Sequence, residues 1–123
     1  MINSFKDLTV WQKSVDLCVL IYKVTENFPR SEIYGLVSQI RRASVAIASN
    51  IAVGQSRGHK PEYIQFLRIS YGSASELETQ LIIALKIGYL SQKDFDQINN
   101  LLGEILRMLN KLISVLSSSR PSV

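Results

Sequence analysis

The residues of this chain that can do chemistry are few, and they lie far apart in the sequence. His59 is the only histidine and Cys18 the only cysteine, so the chain lacks the partners of a histidine-based triad, a disulfide or a metal cluster. Segment 54–58 lacks the Gly-Lys-Ser/Thr ending of a phosphate loop and follows no predicted strand. We therefore predict that the protein is not an enzyme and carries no metal or cofactor.

Two polar residues, Glu78 and Asn50, fall where helical spacing places apolar side chains. At about 100° per residue, Glu78 lies in the centre of an apolar stripe on the third predicted helix, and Asn50 lies half inward on the second. That stripe consists of Leu67, Tyr71, Ala74, Leu81 and Leu85. Because a buried carboxylate without a partner is strongly destabilising, we predict that both residues are structural and fix the register of these helices. A catalytic role is the alternative.

Positive charge is concentrated in one stretch of the sequence, residues 41–68. This stretch has five arginine or lysine residues and one acid, Glu62, while basic and acidic residues cancel elsewhere, so the net charge of +4 arises there. A concentrated basic surface attracts phosphates, and His59 adds partial charge below neutral pH. The candidate nucleic-acid-binding residues are Arg41, Arg42, Arg57, His59, Lys60 and Arg68. A solvated face that binds nothing is the alternative.

Length and composition predict a single domain over residues 1–123. A chain of this size buries about two-thirds of its unfolded surface, which is enough for one core without disulfides. The first residues lack the order of a signal peptide, and no uncharged apolar run reaches the roughly 18 residues of a membrane span. We therefore expect the protein to reside in the cytoplasm, with no membrane partner.

Apolar spacing predicts four helices, at about residues 8–28, 32–56, 61–88 and 92–117, with 118–123 as a frayed tail. Ser31 is the predicted N-cap of the second helix, and Pro61 fits the first turn of the third. Ser91 and Asp94 form a capping-box pattern for the fourth. Because short connections join long helices, we predict an all-α, up-down-up-down antiparallel four-helix bundle.

The predicted helices carry more apolar residues than one core can use. The fourth has a heptad seam from Phe95 to Leu116, and further apolar residues lie off that seam. They are Leu101, Leu106, Met108, Ile113 and Val115. The second helix adds Val45, Ala52 and Val53, and the third adds Phe66, Ile69, Ile83 and Ile87. We predict that these stripes form the subunit interface of a homo-oligomer.

Short motifs run in a fixed order through the chain up to about residue 90. They are Phe5-Lys6-Asp7-Leu8, Val10-Trp11-Gln12-Lys13, Phe28-Pro29, Glu32-Ile33-Tyr34-Gly35-Leu36, Gln39-Ile40-Arg41-Arg42-Ala43, Ser49-Asn50-Ile51-Ala52, Gly54, Arg57, Phe66-Leu67, Gly72-Ser73-Ala74, Glu76-Leu77-Glu78 and Gly88-Tyr89-Leu90. In this order the motifs resemble the bacterial four helix bundle protein family. Its members are often encoded in intervening sequences of large-subunit ribosomal RNA genes.

The resemblance implies a four-helix bundle that assembles into a ring-shaped homopentamer. It also implies kinship with the accessory variability determinant proteins of diversity-generating retroelements, which work with a reverse transcriptase and nucleic acid. The candidate residues that match motif positions of the family are Arg41, Arg42, Asn50, Arg57 and Glu78. The chain departs from the family at Val53, where a glutamate is usual, and this departure makes the surface there more positive and more apolar.

The function that we predict from these observations is non-enzymatic binding of RNA or DNA backbone by the basic surface of a ring. Ring symmetry repeats each weak phosphate contact in every subunit, so that the contacts act together. A reverse transcriptase is a candidate protein partner through the resemblance. The alternative is a protein-interaction scaffold whose basic surface meets an acidic partner and which does not bind nucleic acid directly.

Overall fold

The computed structural model describes residues 4–118, and this part of the chain consists of helices and their connections, without strands. Four α-helices are present there: α1 (Thr9–Thr25), α2 (Leu36–Ser56), α3 (Lys60–Ile87) and α4 (Gln92–Ser118). Short 3-10 helices at Phe5–Asp7 and Arg30–Glu32 precede α1 and α2. Of the predicted tail, Ser118 ends α4, and residues 119–123 lie outside the described residues.

The four helices form a closed bundle, because each packs against the next and α4 packs against α1. Two contacts show that α2 and α3 are antiparallel. Arg42, early in α2, pairs with Glu76 late in α3, whereas Ile47, further along α2, accepts a hydrogen bond from Ser70, earlier in α3. The predicted four-helix bundle is therefore confirmed. No helix in residues 4–118 is long and apolar enough to cross a bilayer.

The core combines large aliphatic side chains with small residues that let the helices approach. The large side chains that are almost completely buried are Leu17, Ile21, Ile40, Ile47, Ile51, Leu67, Leu77, Leu81, Ile98, Leu102, Ile105 and Leu109. Gly54 marks a close approach between α2 and α3, since a Cβ added there would lie 2.7 Å from Cβ of Phe66. Of the heptad seam predicted for α4, Ile98, Leu102, Ile105 and Leu109 are buried.

Helix α2 begins later than predicted, and Ser31 does not cap it. Residues Arg30–Glu32 form a 3-10 helix, and α2 starts at Leu36. The carboxylate of Glu32 explains this start, because its Oε1 accepts a hydrogen bond from the Leu36 N–H at 3.2 Å. Its Oε2 accepts one from the hydroxyl of Tyr89 at 3.1 Å, which ties the start of α2 to the α3–α4 connection. Glu32 thus satisfies the N–H of the first residue of α2, whereas Ser31 lies in the preceding 3-10 helix.

The other predicted helix boundaries agree more closely with the structure. Pro61 lies in the first turn of α3, and Gly88 ends that helix in the left-handed conformation with φ 89°. The Ser91 hydroxyl accepts a hydrogen bond from the Asp94 N–H at 3.1 Å, so the predicted cap of α4 is present. Helix α1 ends at Thr25, three residues before the predicted end, and a tighter turn leads to Pro29.

The predicted core face of α3 is confirmed at Leu67, Ala74 and Leu81, which are buried, but the face as a whole is rotated about the helix axis relative to the prediction. The buried positions are Leu67, Ser70, Ala74, Leu77, Gln80, Leu81 and Ala84. Glu78 is only half-buried and Tyr71 is exposed, so neither lies in the centre of the core stripe. The prediction relied on large apolar residues, which α3 carries on several sides. The small residues that permit close packing against α2 determine the rotation instead.

Ser70, and neither Glu78 nor Asn50, makes a buried polar contact between α2 and α3. Its hydroxyl donates a hydrogen bond to the Ile47 carbonyl at 2.9 Å. Asn50 is half-buried and donates to the Ala46 carbonyl of its own helix at 2.8 Å. The predicted polar contact between these helices therefore exists, but a different residue provides it.

We expect Ser70→Ala to lower the free energy of unfolding by about 1 kcal/mol, because the variant loses a buried hydrogen bond between helices. Ser75→Ala on the same helix is the matched control. The Ser75 side chain is exposed and bonds only its own helix, so the change should stay within about 0.5 kcal/mol. Glu78→Ala should resemble this control. Chemical denaturation at equal protein concentration measures all three, and a larger loss for Glu78→Ala than for Ser70→Ala would contradict the prediction.

Candidate nucleic-acid interface

The candidate nucleic-acid-binding residues lie at three separate places on the bundle. Arg41 and Arg42 lie in the first third of α2, whereas Arg57 follows its end. Because an α-helix rises 1.5 Å per residue, Arg41 and Arg57 are about 24 Å apart along the axis. Arg57, His59 and Lys60 come together where α2 turns into α3, and Arg68 lies two turns further along α3. The single basic stretch of the sequence therefore does not form a single surface.

The guanidinium of Arg41 packs against the end of α1. Its Nε donates a hydrogen bond to Thr25 Oγ1 at 2.9 Å, and Nη2 donates to the Tyr22 carbonyl at 3.4 Å. The guanidinium also stacks over the Tyr22 ring, 4.6 Å from its centroid. A cation that donates to the last carbonyls of a helix stabilises its C-terminus. Arg41 therefore stabilises the C-terminal end of α1, a role that its position in the sequence did not indicate.

Arg42 is paired with an acid from the next helix. Its Nη2 lies 2.7 Å from Oε2 of Glu76, which also accepts a hydrogen bond from Gln80 Nε2 at 3.2 Å. Gln80 is almost fully buried, so these three side chains run from the surface to the edge of the core. The sequence count placed Glu76 outside the basic stretch, but folding brings it onto Arg42. The positive charge of Arg42 is therefore balanced locally.

The basic hairpin, formed by Arg57, Gly58, His59 and Lys60, joins α2 to α3 and presents the densest group of cations. Arg57 Nη1 lies 3.0 Å from Oε2 of Glu62, and His59 Nδ1 lies 3.4 Å from Oε1 of the same carboxylate. The side chains of Arg57 and His59 are both more than half exposed, so an incoming phosphate can reach them. The Arg57 guanidinium also lies 5.4 Å from the centroid of the Phe66 ring. Glu62 therefore holds the cations in place while it reduces their net charge.

A cavity of about 380 Å³ opens beside the basic hairpin. Its lining residues are Gly54, Gln55, Gly58, His59, Lys60, Tyr63 and Leu116. Tyr63 is half-buried, and burial raises the pKa of its phenol above the ordinary 10.0, so the hydroxyl is protonated at physiological pH. Leu116, near the end of α4, is 53 positions away from Tyr63 in the sequence. Sequence analysis missed this cavity because only the folded bundle brings the end of α4 to the hairpin.

Arg68 is exposed on the side of α3 that faces α4. Together with Tyr71, Asn110 and Ile113 it lines a shallow cavity of about 270 Å³ between these helices. Its position is two turns from Lys60, about 12 Å along the axis of α3. Arg68 can therefore contact a strand that extends from the basic hairpin along the bundle, but it is not part of the hairpin cluster.

The outer faces of α2 and α3 carry exposed apolar side chains next to the Arg42–Glu76 pair. On α2, Arg42 shares one face with Val53, and Val45 lies at the edge of this face beside α1, where it lines a cavity with Val19. On α3, Glu76 shares one face with Ile69 and Ile83. The side chains of Val45, Val53, Ile69 and Ile83 are between 39% and 46% exposed. We call this surface the outer α2–α3 face. The charges of Arg42 and Glu76 neutralise each other, so this surface is an apolar strip rather than a phosphate-binding surface.

Two of the surplus apolar residues of α4, Met108 and Val115, line an open cavity of about 320 Å³ together with Leu8, which precedes α1. Leu101, Leu106 and Met108 are half-buried against the core, and Ile113 is buried. Of the five residues predicted to lie at a subunit interface, Val115 remains exposed. Ile113 therefore belongs to the core, and the interface stripe on the rest of this helix stays a prediction.

Two comparisons with known proteins agree with this architecture. The sequence model of the 23S rRNA-intervening sequence protein family matches residues 6–111. Among solved structures, this chain is similar to a protein of unknown function from the S23 ribosomal protein family of Bacteroides thetaiotaomicron, with a TM-score of 0.77 and 27% sequence identity. The match covers 85% of this chain and 98% of that chain. No protein with curated annotation matches the sequence.

Proposed function

The chain belongs to the 23S rRNA-intervening sequence protein family, and we propose that it is a non-enzymatic, ring-forming cytoplasmic protein that binds the backbone of RNA or DNA. The observation that carries this proposal is the clustering of Arg57, His59 and Lys60 at one end of the bundle. Arg57 and His59 are exposed, and the cluster borders an open cavity. Phosphate binding needs exposed cations at a surface that a long polyanion can reach, and the basic hairpin provides both.

The basic hairpin is a better candidate site than the other arginines of the basic stretch. Arg41 packs against the end of α1, and Arg42 is neutralised by Glu76. Arg57 and His59 lie against one carboxylate, Glu62, and both side chains stay more than half exposed. Backbone contacts of this kind position a nucleic acid without reading its sequence, so we expect weak dependence on base order.

Ring formation is supported by the outer α2–α3 face. Val45, Val53, Ile69 and Ile83 are exposed in a strip along two adjacent helices, whereas the outer side of α4 carries polar residues such as Asn100 and Arg107. A strip of this kind on a protein in water is typical of a protein–protein interface. We propose that another subunit covers it, with five subunits in the ring as the family resemblance implies.

The purified protein is expected to be a homo-oligomer at micromolar concentration, because burying the outer α2–α3 face removes apolar surface from water in every subunit. Ile69→Asp should dissociate it, since a carboxylate would be buried without a partner. Asn100→Asp, on the exposed side of α4, is the control and should leave the assembly intact. Native mass spectrometry measures subunit number. A wild-type monomer of about the 13.8 kDa chain mass would contradict ring formation.

The test of nucleic-acid binding is fluorescence anisotropy of labelled single- and double-stranded oligonucleotides with the purified protein at about 50 mM salt. Binding that weakens steeply with added salt supports the proposal. Absence of binding at this salt concentration would overturn it and would favour the second candidate function, a scaffold for an acidic protein partner such as a nucleic-acid polymerase. One observation favours that candidate: the exposed apolar strip fits a protein surface as well as a second subunit.

A further inference from the structure

We infer that the cavity beside the basic hairpin holds an unpaired nucleobase, so that the preferred ligand is single-stranded RNA or DNA rather than a duplex. This inference rests on the proposed nucleic-acid binding and adds the class of nucleic acid and the site that selects it. The cavity volume of about 380 Å³ lies in the range of roughly 300 to 1,000 Å³ that is usual for small-ligand sites.

The walls of the cavity suit a flat heteroaromatic ring. Tyr63 from α3 and Leu116 from α4 provide an aromatic and an aliphatic surface on which a base can stack. Gln55 contributes a side-chain amide that can both donate and accept hydrogen bonds, as the edge of a base requires. The mouth of the cavity is open at Gly58, where an added Cβ would meet no atom within 4 Å.

The basic residues of the hairpin lie where the phosphates flanking such a base would bind. His59 and Lys60 line the cavity itself, and Arg57 is held beside them by Glu62 at 3.0 Å. The first turn of α3 also begins at this point, and the positive end of its helix dipole adds to the attraction for an anion. A nucleotide with its base in the cavity would therefore bring its phosphate to the basic hairpin.

A duplex cannot use this cavity without disruption. Its bases are paired and stacked inside the helix, so its phosphates can reach the rim cations while the cavity stays unfilled. A single strand can turn one base outward at much lower cost. The charge contacts are shared by both ligands, and the base contact alone distinguishes them. We therefore expect an affinity difference of about tenfold or more between a single strand and a duplex of equal charge.

The experiment uses the wild-type protein and three fluorescent probes of about 30 nucleotides each at about 50 mM salt. They are an oligodeoxythymidine, the same strand with abasic sites in place of its central bases, and a G·C-rich duplex of half that length, which has the same number of phosphates. The oligodeoxythymidine should bind about tenfold tighter than either other probe. An oligouridine of equal length tests RNA, and it should show the same preference over its own duplex.

A variant with a filled cavity provides the second measurement. Leu116→Trp adds bulk from the α4 wall and leaves Arg57, His59 and Lys60 unchanged, so affinity for the base-bearing strand should fall to that of the abasic strand. Ser114→Trp, on the exposed side of α4, is the matched control and should keep the tenfold preference. Circular dichroism checks that both variants fold, and the wild-type comparison does not depend on either variant.

The outcomes separate this inference from the function on which it rests. Equal affinity of the wild-type protein for all three probes would overturn base insertion and leave backbone binding standing. A preference that survives in Leu116→Trp would also overturn it, because the selecting site would then lie elsewhere. If none of the probes binds, both the inference and the proposed function are wrong.

Discussion

Replacing Arg57 and Lys60 with glutamate is expected to weaken oligonucleotide binding at least about 100-fold at about 50 mM salt. The double variant changes the local charge by four units in every copy of the chain, and the proposed ring would repeat that change around its circumference. The new carboxylates would also stand beside Glu62, so the hairpin would become acidic. Fluorescence anisotropy measures the loss, and native mass spectrometry verifies that the assembly is retained.

The matched control for this variant is the double substitution Lys86→Glu and Lys93→Glu at the opposite end of the bundle. Both lysines are exposed, and the change in net charge is identical. Affinity should fall by less than about tenfold, because charges farther apart than about 10 Å are largely screened at moderate salt. If the control weakens binding as much as the hairpin variant does, attraction comes from total charge and the basic hairpin is not the site.

Glu62→Gln makes the surroundings of the basic hairpin more positive, whereas the glutamate substitutions make them more negative. It keeps an acceptor for Arg57 but removes the negative charge that Glu62 places beside both Arg57 and His59. We expect tighter binding and a steeper dependence on salt, since each additional neutralised phosphate contributes about 0.7 to 0.9 to the log–log slope. Arg41 is left unchanged in these tests because its loss would disturb the end of α1, and weaker binding would then have two explanations.

Gly54→Ala is expected to lower the free energy of unfolding by about 1 to 3 kcal/mol, despite the higher helix propensity of alanine. The added Cβ would lie 2.7 Å from Cβ of Phe66 and 3.2 Å from a ring carbon of Tyr63. The Cβ of Phe66 cannot move without its backbone, so α2 and α3 must separate. Chemical denaturation at fixed protein concentration measures the effect.

Gly103→Ala is the control for Gly54→Ala, because it makes the same substitution inside another helix. Its added Cβ would meet only the far end of the Arg107 side chain, at 3.3 Å, and that flexible group can move away. The expected result is a gain of about 0.5 to 1 kcal/mol from helix propensity. A Gly54→Ala protein as stable as Gly103→Ala would show that the α2–α3 contact adapts without cost.

Sequence analysis predicted the helices well because their signals are local. Pro61 and the Ser91 cap act within one turn of the helices that they start, and the core positions of α2 and α4 recur with clear helical spacing. The start of α2 was missed because Glu32, which accepts the hydrogen bond from its first N–H, lies in a separate 3-10 helix. The other partner of Glu32, Tyr89, is far away in the sequence.

The candidate site was predicted only in part. Arg57, His59 and Lys60 are neighbours in the sequence and stay neighbours in the fold, and their role in binding stays a prediction. The remaining basic residues were grouped with them by sequence distance alone. In the fold, Arg41 packs against the end of α1 and Arg42 pairs with Glu76, because antiparallel packing brings together positions that are far apart along the chain.

The sequence by itself determined the helical class, the approximate extent of each helix and the family, since these follow from local periodicity, capping and ordered motifs. The tertiary structure alone decided the rotation of α3, the buried contact of Ser70 and the cavity that Leu116 lines. The physical reason is that a helix rotates to bring its small residues against its neighbour, as Gly54 and Ser70 show. That choice depends on the shape of the facing helix, which no single segment contains.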